Sequence, residues 1–206
     1  MRRTHRSLAL AAGIIASLAL VSGCSSSSDG LAATYGEVAE QDYFSSDGAF
    51  SFFASANRGN PITFAGLTDM SGPWSSADHI GDPIVVNFWF AGCPPCRLEA
   101  KDLAALHEEF VGDGVQFIGV NILDQPETAI TFAREFGIAY PSLMDVETGA
   151  VRLAFAGEAS PNAVPTTVVL DRDHRVAARV TGLITDVGLL QTMINDVLAE
   201  EQSPTT

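Results

Sequence analysis

The stretch VVNFWFAGCPPCRLE, residues 85–99, decides how the rest of the chain is interpreted. The near-continuous apolar run Ile84–Phe90 predicts a strand buried on both faces of a parallel sheet. The two prolines of the CPPC motif favour the first positions of a helix, which is predicted to run to about Val111. Cys93 and Cys96 therefore fall where a buried strand gives way to a helix.

The two cysteines of this motif are suited to electron exchange. Cys93 is predicted to lie at the positive end of the helix dipole, which favours the thiolate, with Cys96 one turn further in and less exposed. Two cysteines cannot supply the four ligands of a structural zinc site. A disulfide between them closes so short a loop that it would add little to the stability of the fold. We therefore assign Cys93 as the attacking nucleophile and Cys96 as the resolving thiol.

Glu99 is the next informative residue of the predicted helix. It shares one helix face with Cys96 and with apolar positions further along the helix. A carboxyl group on this face is predicted to be partly desolvated, with a raised pKa, and able to exchange a proton with Cys96. The alternative is a glutamate at the edge of the apolar stripe that reaches solvent. The other members of this face are Leu103, Leu106 and Phe110.

The N-terminus is predicted to be a secretion signal. Met1–Ser7 is basic, and the apolar run Leu8–Val21 is too short to span a bilayer as a helix. The run ends in LVSGC, which resembles the lipobox of bacterial lipoproteins and implies cleavage before Cys24 and lipid attachment to it. Several acyl chains would anchor the protein stably. A buried N-terminal helix and a plain signal peptide with an incidental cysteine are the alternatives.

The chain is predicted to contain one folded domain. We divide it into a signal over residues 1–23, lipidated Cys24 with a flexible tether over 24–57, the domain over 58–201, and a disordered tail over 202–206. Within the predicted tether there is an aromatic cluster. It is compatible either with a strand that docks on the domain or with an additional contact to it. The cluster consists of Phe50, Phe52 and Phe53.

The composition excludes some classes of partner. A chain of 206 residues with 47% hydrophobic residues can bury a sizeable core. Its formal net charge of −14 repels phosphate backbones and anionic membrane surfaces. Binding to nucleic acid is therefore excluded.

Residues 85–99 and the stretch VPTTVVLD, residues 164–171, together resemble the thioredoxin superfamily, and within it the membrane-tethered TlpA/ResA-like disulfide reductases. The resemblance covers about Pro61 to Leu198. It implies an α/β, thioredoxin-like fold with a central mixed β-sheet flanked by helices, an N-terminal β-hairpin and a helix–strand insertion. It also implies a cis peptide bond before Pro165, where an ordinary trans proline starting an edge strand is the alternative.

Two positions of the motif bear on the branch of the superfamily. Asn87 stands where thioredoxins carry a buried aspartate, and Glu99 matches the glutamate that the ResA-like branch carries instead. Gly92 departs from the pattern, because a tryptophan usually precedes the first cysteine.

The rest of the chain fits the same fold. The predicted elements are a hairpin of Ile62–Leu67 and Gly72–Ser76, a buried strand at Val115–Ile122, a helix at Gln125–Phe136 capped by Asp124, a short strand at Tyr140–Met144, a weak helix at Thr148–Ala156, a hairpin of Thr166–Asp171 and Arg175–Thr181, and a last helix from Asp186 to Glu201.

The resemblance implies a reaction and its partners. Substrate contacts are assigned to Val164, Pro165, Pro94, Pro95 and Trp89. The substrates would be protein disulfides, typically the C-x-x-C-H segment of apocytochrome c, and electrons would come from a membrane thiol transporter of the CcdA type. No metal and no cofactor beyond the Cys93–Cys96 disulfide is expected. The lipid anchor would hold the enzyme on the extracytoplasmic face of the cell membrane.

The charges near Cys93 bear on the direction of electron flow. Pro94 and Pro95 carry no charge and lack backbone N–H groups, and the chain is acidic, so the pKa of Cys93 is predicted to be less depressed than in a strong oxidant; Arg97 opposes this in part. We therefore favour a reductase. A disulfide-forming oxidase of the envelope uses the same residues. A copper chaperone of thioredoxin fold is a further alternative and would need a histidine ligand. His174 is the candidate for this ligand, but its place in a predicted turn indicates a solvated surface residue instead.

Overall fold

The computed structural model describes residues 41–159, 161 and 163–200. The predicted signal, Cys24 and the predicted tail lie outside the described residues. Among the residues described, no helix is both long and apolar enough to cross a membrane.

A seven-stranded mixed sheet forms the centre of the fold, with strand order β1-β2-β9-β8-β5-β6-β7. The strands β5, β6 and β7 are parallel, whereas β8 is antiparallel to β5 and β9 to β8. A separate hairpin pairs β3 with β4. The strands are β1 (Tyr43–Phe44), β2 (Phe50–Phe52), β3 (Ala65–Leu67), β4 (Pro73–Ser75), β5 (Ile84–Trp89), β6 (Gln116–Asn121), β7 (Ser142–Met144), β8 (Thr166–Leu170) and β9 (Val176–Thr181).

Helices cover both faces of the sheet. The helices are α1 (Pro94–Phe110), α2 (Pro126–Phe136), α3 (Ala150–Phe155) and α4 (Val187–Ala199). Because side chains alternate across a strand, Val85 joins the core beneath α1 and α4, whereas Val86 joins the core beneath α3. The α2 helix packs beside α1 near the end of β5. The predicted mixed sheet, N-terminal hairpin and helix–strand insertion, α2 with β7, are confirmed.

The folded domain begins earlier in the chain than predicted. Phe50 and Phe52 are buried in β2, which pairs antiparallel with β9 and carries β1 on its outer edge. The tether predicted to reach Asn57 is therefore wrong over its last part, and the docked strand is what the structure shows. The physical reason is that the edge of β9 offers unpaired backbone groups and the aromatic side chains offer apolar area to bury.

An ion-pair cluster fixes this N-terminal part to the opposite end of the chain. The Arg58 side chain is fully buried and contacts the carboxylates of Asp171, after β8, and Glu200, after α4. Arg175 binds the same Asp171 carboxylate. Removing one partner from a buried pair leaves an uncompensated charge, so the cluster holds these three segments together.

The prediction for His174 is wrong. Its side chain is 1% exposed, and Nε2 lies 3.1 Å from the carbonyl oxygen of His79. His174 occupies the β8–β9 turn with a φ of 61°. The turn folds back onto the segment around His79, which covers the imidazole ring.

Candidate active site

The two cysteines lie just beyond the carboxyl end of the central strand β5. Cys93 is the N-cap residue of α1 and forms a disulfide with Cys96. The Cys96 backbone N–H donates a hydrogen bond of 3.2 Å to the Cys93 sulfur. This donor and the helix N-terminus would both stabilise a thiolate on Cys93.

The two cysteines are equally buried in this oxidised state. Each is 2% exposed, so the predicted difference in exposure is not found. Pro94 is exposed and Pro95 half-buried, and they form the outer surface of the motif. Contact of a substrate with these prolines stays a prediction.

The second predicted stretch meets the first at the dithiol. The Val164–Pro165 bond is cis, as predicted. The Cys93 sulfur lies 3.9 Å from the carbonyl oxygen of half-buried Val164. Pro165 itself is buried and immediately precedes β8. The structure thus brings together the Val164 backbone and the sulfur that is predicted to attack.

The carboxyl group of Glu99 is buried below the dithiol. Glu99 is 1% exposed and lies one helical turn after Cys96 on the core-facing side of α1. Its Oε1 accepts a hydrogen bond of 3.0 Å from Asn87 Nδ2, and its Oε2 accepts one of 3.1 Å from the backbone N–H of Ile184. The alternative of a solvent-exposed edge position is excluded.

Burial controls the protonation of this carboxyl group. Desolvation raises the pKa of Glu99 to about 7, although the hydrogen bonds from Ile184 and Asn87 act in the opposite direction. The charge of Asp102 adds to the increase. The predicted raised pKa is confirmed, and Glu99 can both accept and release a proton near neutral pH.

Trp89 supports the dithiol from below and does not line a surface. Its side chain is 4% exposed, and its indole N–H donates to Ser142 Oγ at 3.2 Å. A side chain at Gly119 would collide with both groups, so glycine is required between them. The ring of Phe132, from α2, packs 4.4 Å from the Trp89 ring. Direct substrate contact by Trp89, implied by the resemblance, stays a prediction, and in this state its ring packs inside the fold.

Two polar residues, Asn87 and Asp124, have roles at this site that differ from those predicted by the sequence. Asn87 is the amide side chain within the apolar run of β5, a pattern that indicates a buried hydrogen-bonded group. Asp124 was predicted to cap α2, but the N-cap residue is Gln125, which makes no side-chain cap bond. Instead Asp124 Oδ2 accepts hydrogen bonds from the Ala91 N–H at 2.6 Å and from Asn121 Nδ2 at 2.8 Å. Asp124 thus fixes the loop that leads to Cys93.

A comparison with known families decides the classification. Residues 59–179, more than half of the chain, match the AhpC/TSA family. The chain belongs to the AhpC/TSA family. The match includes the dithiol, Glu99 and the cis proline, so the site described above lies within the AhpC/TSA domain.

Relatives of this AhpC/TSA domain are thiol–disulfide proteins. The chain is 27% identical to the thiol-disulfide oxidoreductase ResA of Bacillus subtilis over 122 residues, which are 59% of this chain and 63% of that protein. The match therefore spans just under two thirds of the ResA chain.

Solved structures confirm the thioredoxin-like fold. A DsbF homologue from Corynebacterium diphtheriae is 30% identical, with a TM-score of 0.64, covering 75% of this chain and 97% of that one. A thiol:disulfide interchange protein of the thioredoxin family from Chlorobium tepidum is 27% identical, with a TM-score of 0.63, covering 71% and 100%. The predicted TlpA/ResA-like relationship is confirmed.

Proposed function

We propose that this chain is an extracytoplasmic thiol–disulfide oxidoreductase that reduces disulfides in other proteins. The observation that carries the proposal is the arrangement of three groups. The Cys93 sulfur lies at a helix N-terminus, the Val164 backbone lies beside it, and a carboxyl group with a pKa near 7 lies one turn below Cys96. This arrangement supplies a nucleophile, a place for an extended substrate, and a proton acceptor.

The proposed cycle begins with the reduced dithiol and uses no further cofactor. The Cys93 thiolate attacks one sulfur of a substrate disulfide, so a Cys93–substrate bond forms and the second substrate sulfur leaves as a thiolate that takes a proton from water. Cys96 gives its proton to the Glu99 carboxylate, and its thiolate attacks the Cys93 sulfur. The Cys93–Cys96 disulfide forms, the first substrate sulfur leaves, and the substrate gains the two electrons that the dithiol loses.

The direction of electron flow is proposed from the charges around the sulfur atoms. Pro94 and Pro95 contribute no charge and no backbone donor to a Cys93 thiolate. The nearby cation Arg97 is engaged elsewhere, since it pairs with Glu135 at 2.7 Å and lies 4.9 Å from the centre of the Phe136 ring. The thiolate is then stabilised by the Cys96 N–H and the helix N-terminus, without a cation between the cysteines. A thiolate stabilised less than that of a strong oxidant corresponds to a more reducing dithiol.

The partners and the location are proposed from the similarity to ResA and from the N-terminal sequence. The substrate would be the C-x-x-C-H segment of apocytochrome c or a similar envelope protein, and a CcdA-type membrane transporter would re-reduce the dithiol. A lipid on Cys24 would hold the enzyme on the outer face of the cell membrane. Membrane fractionation of cells that express this chain or its Cys24→Ala variant tests the anchor. The unchanged chain is expected to sediment with membranes, and the Cys24→Ala variant is not.

The copper-chaperone alternative is disfavoured by the position of His174. This residue lies in the turn after β8, at the end of the strand away from Pro165 and the dithiol. It therefore cannot join Cys93 and Cys96 as a third ligand without refolding the sheet.

The reductase proposal is tested with the reduced 206-residue chain and an oxidised peptide that carries a C-x-x-C-H segment. Free peptide thiols are measured by mass spectrometry after alkylation. We expect one reduced peptide for each disulfide formed in the chain, and none with the Cys93→Ser variant. If the oxidised chain instead oxidises the reduced peptide, and the reduced chain leaves the peptide disulfide intact, the oxidase alternative is correct.

A further inference from the structure

Asn87 is a buried polar residue at the centre of the sheet, below the dithiol. It belongs to β5, whose residues Ile84–Trp89 are all buried. A buried amide without partners would cost free energy, so its presence in this apolar strand requires hydrogen bonds. Its partners belong to elements that form the candidate site.

The Asn87 amide connects the two halves of that site. Its Nδ2 donates to Glu99 Oε1 on α1 and to Thr167 Oγ1 on β8, both at 3.0 Å. Thr167 follows the cis proline by two residues and is itself buried. The other Glu99 oxygen is held by the backbone N–H of Ile184, so the carboxyl group is fixed at both ends.

We propose that Asn87 is a positioning residue that holds the Glu99 carboxyl group in place for proton exchange with Cys96. The assignment rests on the proposed thiol–disulfide exchange. In the resolving step the Cys96 thiol loses its proton to the Glu99 carboxylate, the Cys96 sulfur bonds to Cys93, and the substrate sulfur leaves with the electron pair of the broken bond. Asn87 changes neither its charge nor its proton count in this step.

An amide is suited to this position for a physical reason. Its N–H groups donate to the ionised Glu99 and to Thr167, whereas an aspartate could only accept when ionised. An aspartate would also place a second carboxyl group about 3 Å from Glu99, and like charges at this distance cannot both ionise near neutral pH. A leucine of similar size would leave the carboxylate without this donor. With asparagine at position 87, Glu99 titrates without a second carboxyl group beside it.

Two further titratable groups interact electrostatically with Glu99, and a substitution at Asn87 leaves both in place. Asp102 lies on the same helix, and its charge opposes ionisation of Glu99. Tyr140, which precedes β7, is buried, and both its burial and the charge of Glu99 raise the pKa of its hydroxyl group. Cys96 is held in the disulfide in the oxidised protein and does not titrate.

The test is a titration of Glu99 in the oxidised 206-residue chain, followed by the ¹³C chemical shift of its side-chain carboxyl carbon. Asn87 donates a hydrogen bond to the ionised form of Glu99, so loss of this donor in Asn87→Leu is expected to move the midpoint upward by about one to two pH units. Asn87→Asp, which preserves shape, is expected to show two coupled midpoints, the upper one above that of the wild type.

A matched control separates positioning from general destabilisation. Ser142→Ala removes a buried side-chain hydrogen bond, to Trp89, in the same sheet and does not touch Glu99. Its Glu99 midpoint is expected to equal that of the wild type. A wild-type midpoint in folded Asn87→Leu, or a single unshifted midpoint in Asn87→Asp, would overturn the proposal. If Asn87→Leu does not fold, Asn87→Asp alone decides.

The titration does not depend on the substrate or on the direction of electron flow. A second readout is the pH profile of the resolving step, measured as loss of a Cys93–peptide mixed disulfide. The profile is expected to shift in Asn87→Asp in the same direction as the upper Glu99 midpoint. If the wild-type chain exchanges no disulfides at all, the proposed function fails while the titration still reports on the Asn87–Glu99 contact.

Discussion

The Glu99 carboxyl group accepts a hydrogen bond of 3.1 Å from the backbone N–H of Ile184. Glu99 belongs to the helix that starts at the dithiol, whereas Ile184 belongs to the loop between β9 and α4. The proton acceptor proposed for the reaction is thus fixed by a segment 85 positions later in the chain. Its burial there controls how the stability of the fold depends on pH.

Glu99 is expected to make the fold less stable as pH rises. Its pKa increases from 4.5 to about 7 on folding, so the native state holds a proton that the unfolded state releases between these two values. The stability that Glu99 contributes is therefore fully present below about pH 4.5 and falls by about 3 kcal/mol as pH rises to 7 and above. Urea unfolding at pH 4.5, 6 and 8 is expected to show this decrease for the wild type and not for Glu99→Gln.

The control for this prediction is Glu108→Gln, which changes an exposed acid on the same helix. It is expected to keep the pH dependence of the wild type. Equal slopes for the wild type and Glu99→Gln would show that the pKa of Glu99 does not rise on folding, which contradicts the prediction.

The roles of the two cysteines are separable by trapping. With Cys96→Ser, attack by Cys93 is expected to stop at the mixed disulfide, because the resolving thiol is absent. The complex is detected by mass spectrometry without reducing agent. Cys93→Ser is expected to form none. Trapping by Cys93→Ser with none by Cys96→Ser would reverse the assignment of nucleophile and resolving thiol.

Asp124 is expected to hold the loop before Cys93. Asp124→Ala removes the acceptor for the Ala91 N–H and for Asn121. A lost hydrogen bond to a charged group costs about 1.5–3 kcal/mol, and the Ala91 amide should exchange its hydrogen faster. Hydrogen exchange measured by NMR checks this expectation. Asp124→Asn keeps an acceptor oxygen and is expected to give a smaller increase. An unchanged rate at Ala91 in Asp124→Ala would contradict the contact.

The N-terminal strands are expected to contribute to the stability of the domain. Phe52→Ala removes a buried ring from the core and should cost about 3–5 kcal/mol. Phe44 lies in the neighbouring β1 and is 57% exposed, so Phe44→Ala should cost much less. Urea unfolding compares the two variants. Equal and small losses would mean that β2 does not pack on β9 in solution.

The sequence predicted those parts of the fold that depend on local patterns. The apolar run Ile84–Phe90, the CPPC motif and the helical spacing of Glu99 gave the central strand, the helix and the buried acid, because period and turn residues report directly on local structure. The cis Pro165 came from the resemblance of residues 164–171 to a known family.

The errors arose where distant contacts override local preference. Phe52 lies in a short aromatic cluster that follows a serine-rich and acidic segment, and the edge of β9, more than a hundred positions later, gives it a partner. His174 stands in a turn, and its burial depends on the segment around His79. Asp124 has the spacing of a helix cap, yet the Ala91 N–H of another loop provides the better donor. No local window of sequence contains these partners.

The reduction potential of the Cys93–Cys96 pair tests the central claim most directly. It is measured by equilibrating the 206-residue chain with dithiothreitol or glutathione buffers, alkylating free thiols and determining by mass spectrometry the fraction in which Cys93 and Cys96 are alkylated. We predict a value near or below that of thioredoxin, about −270 mV, as expected for a dithiol whose thiolate is stabilised less than that of a strong oxidant. A value near that of DsbA, about −120 mV, would contradict the account and identify the chain as an oxidant that forms disulfides.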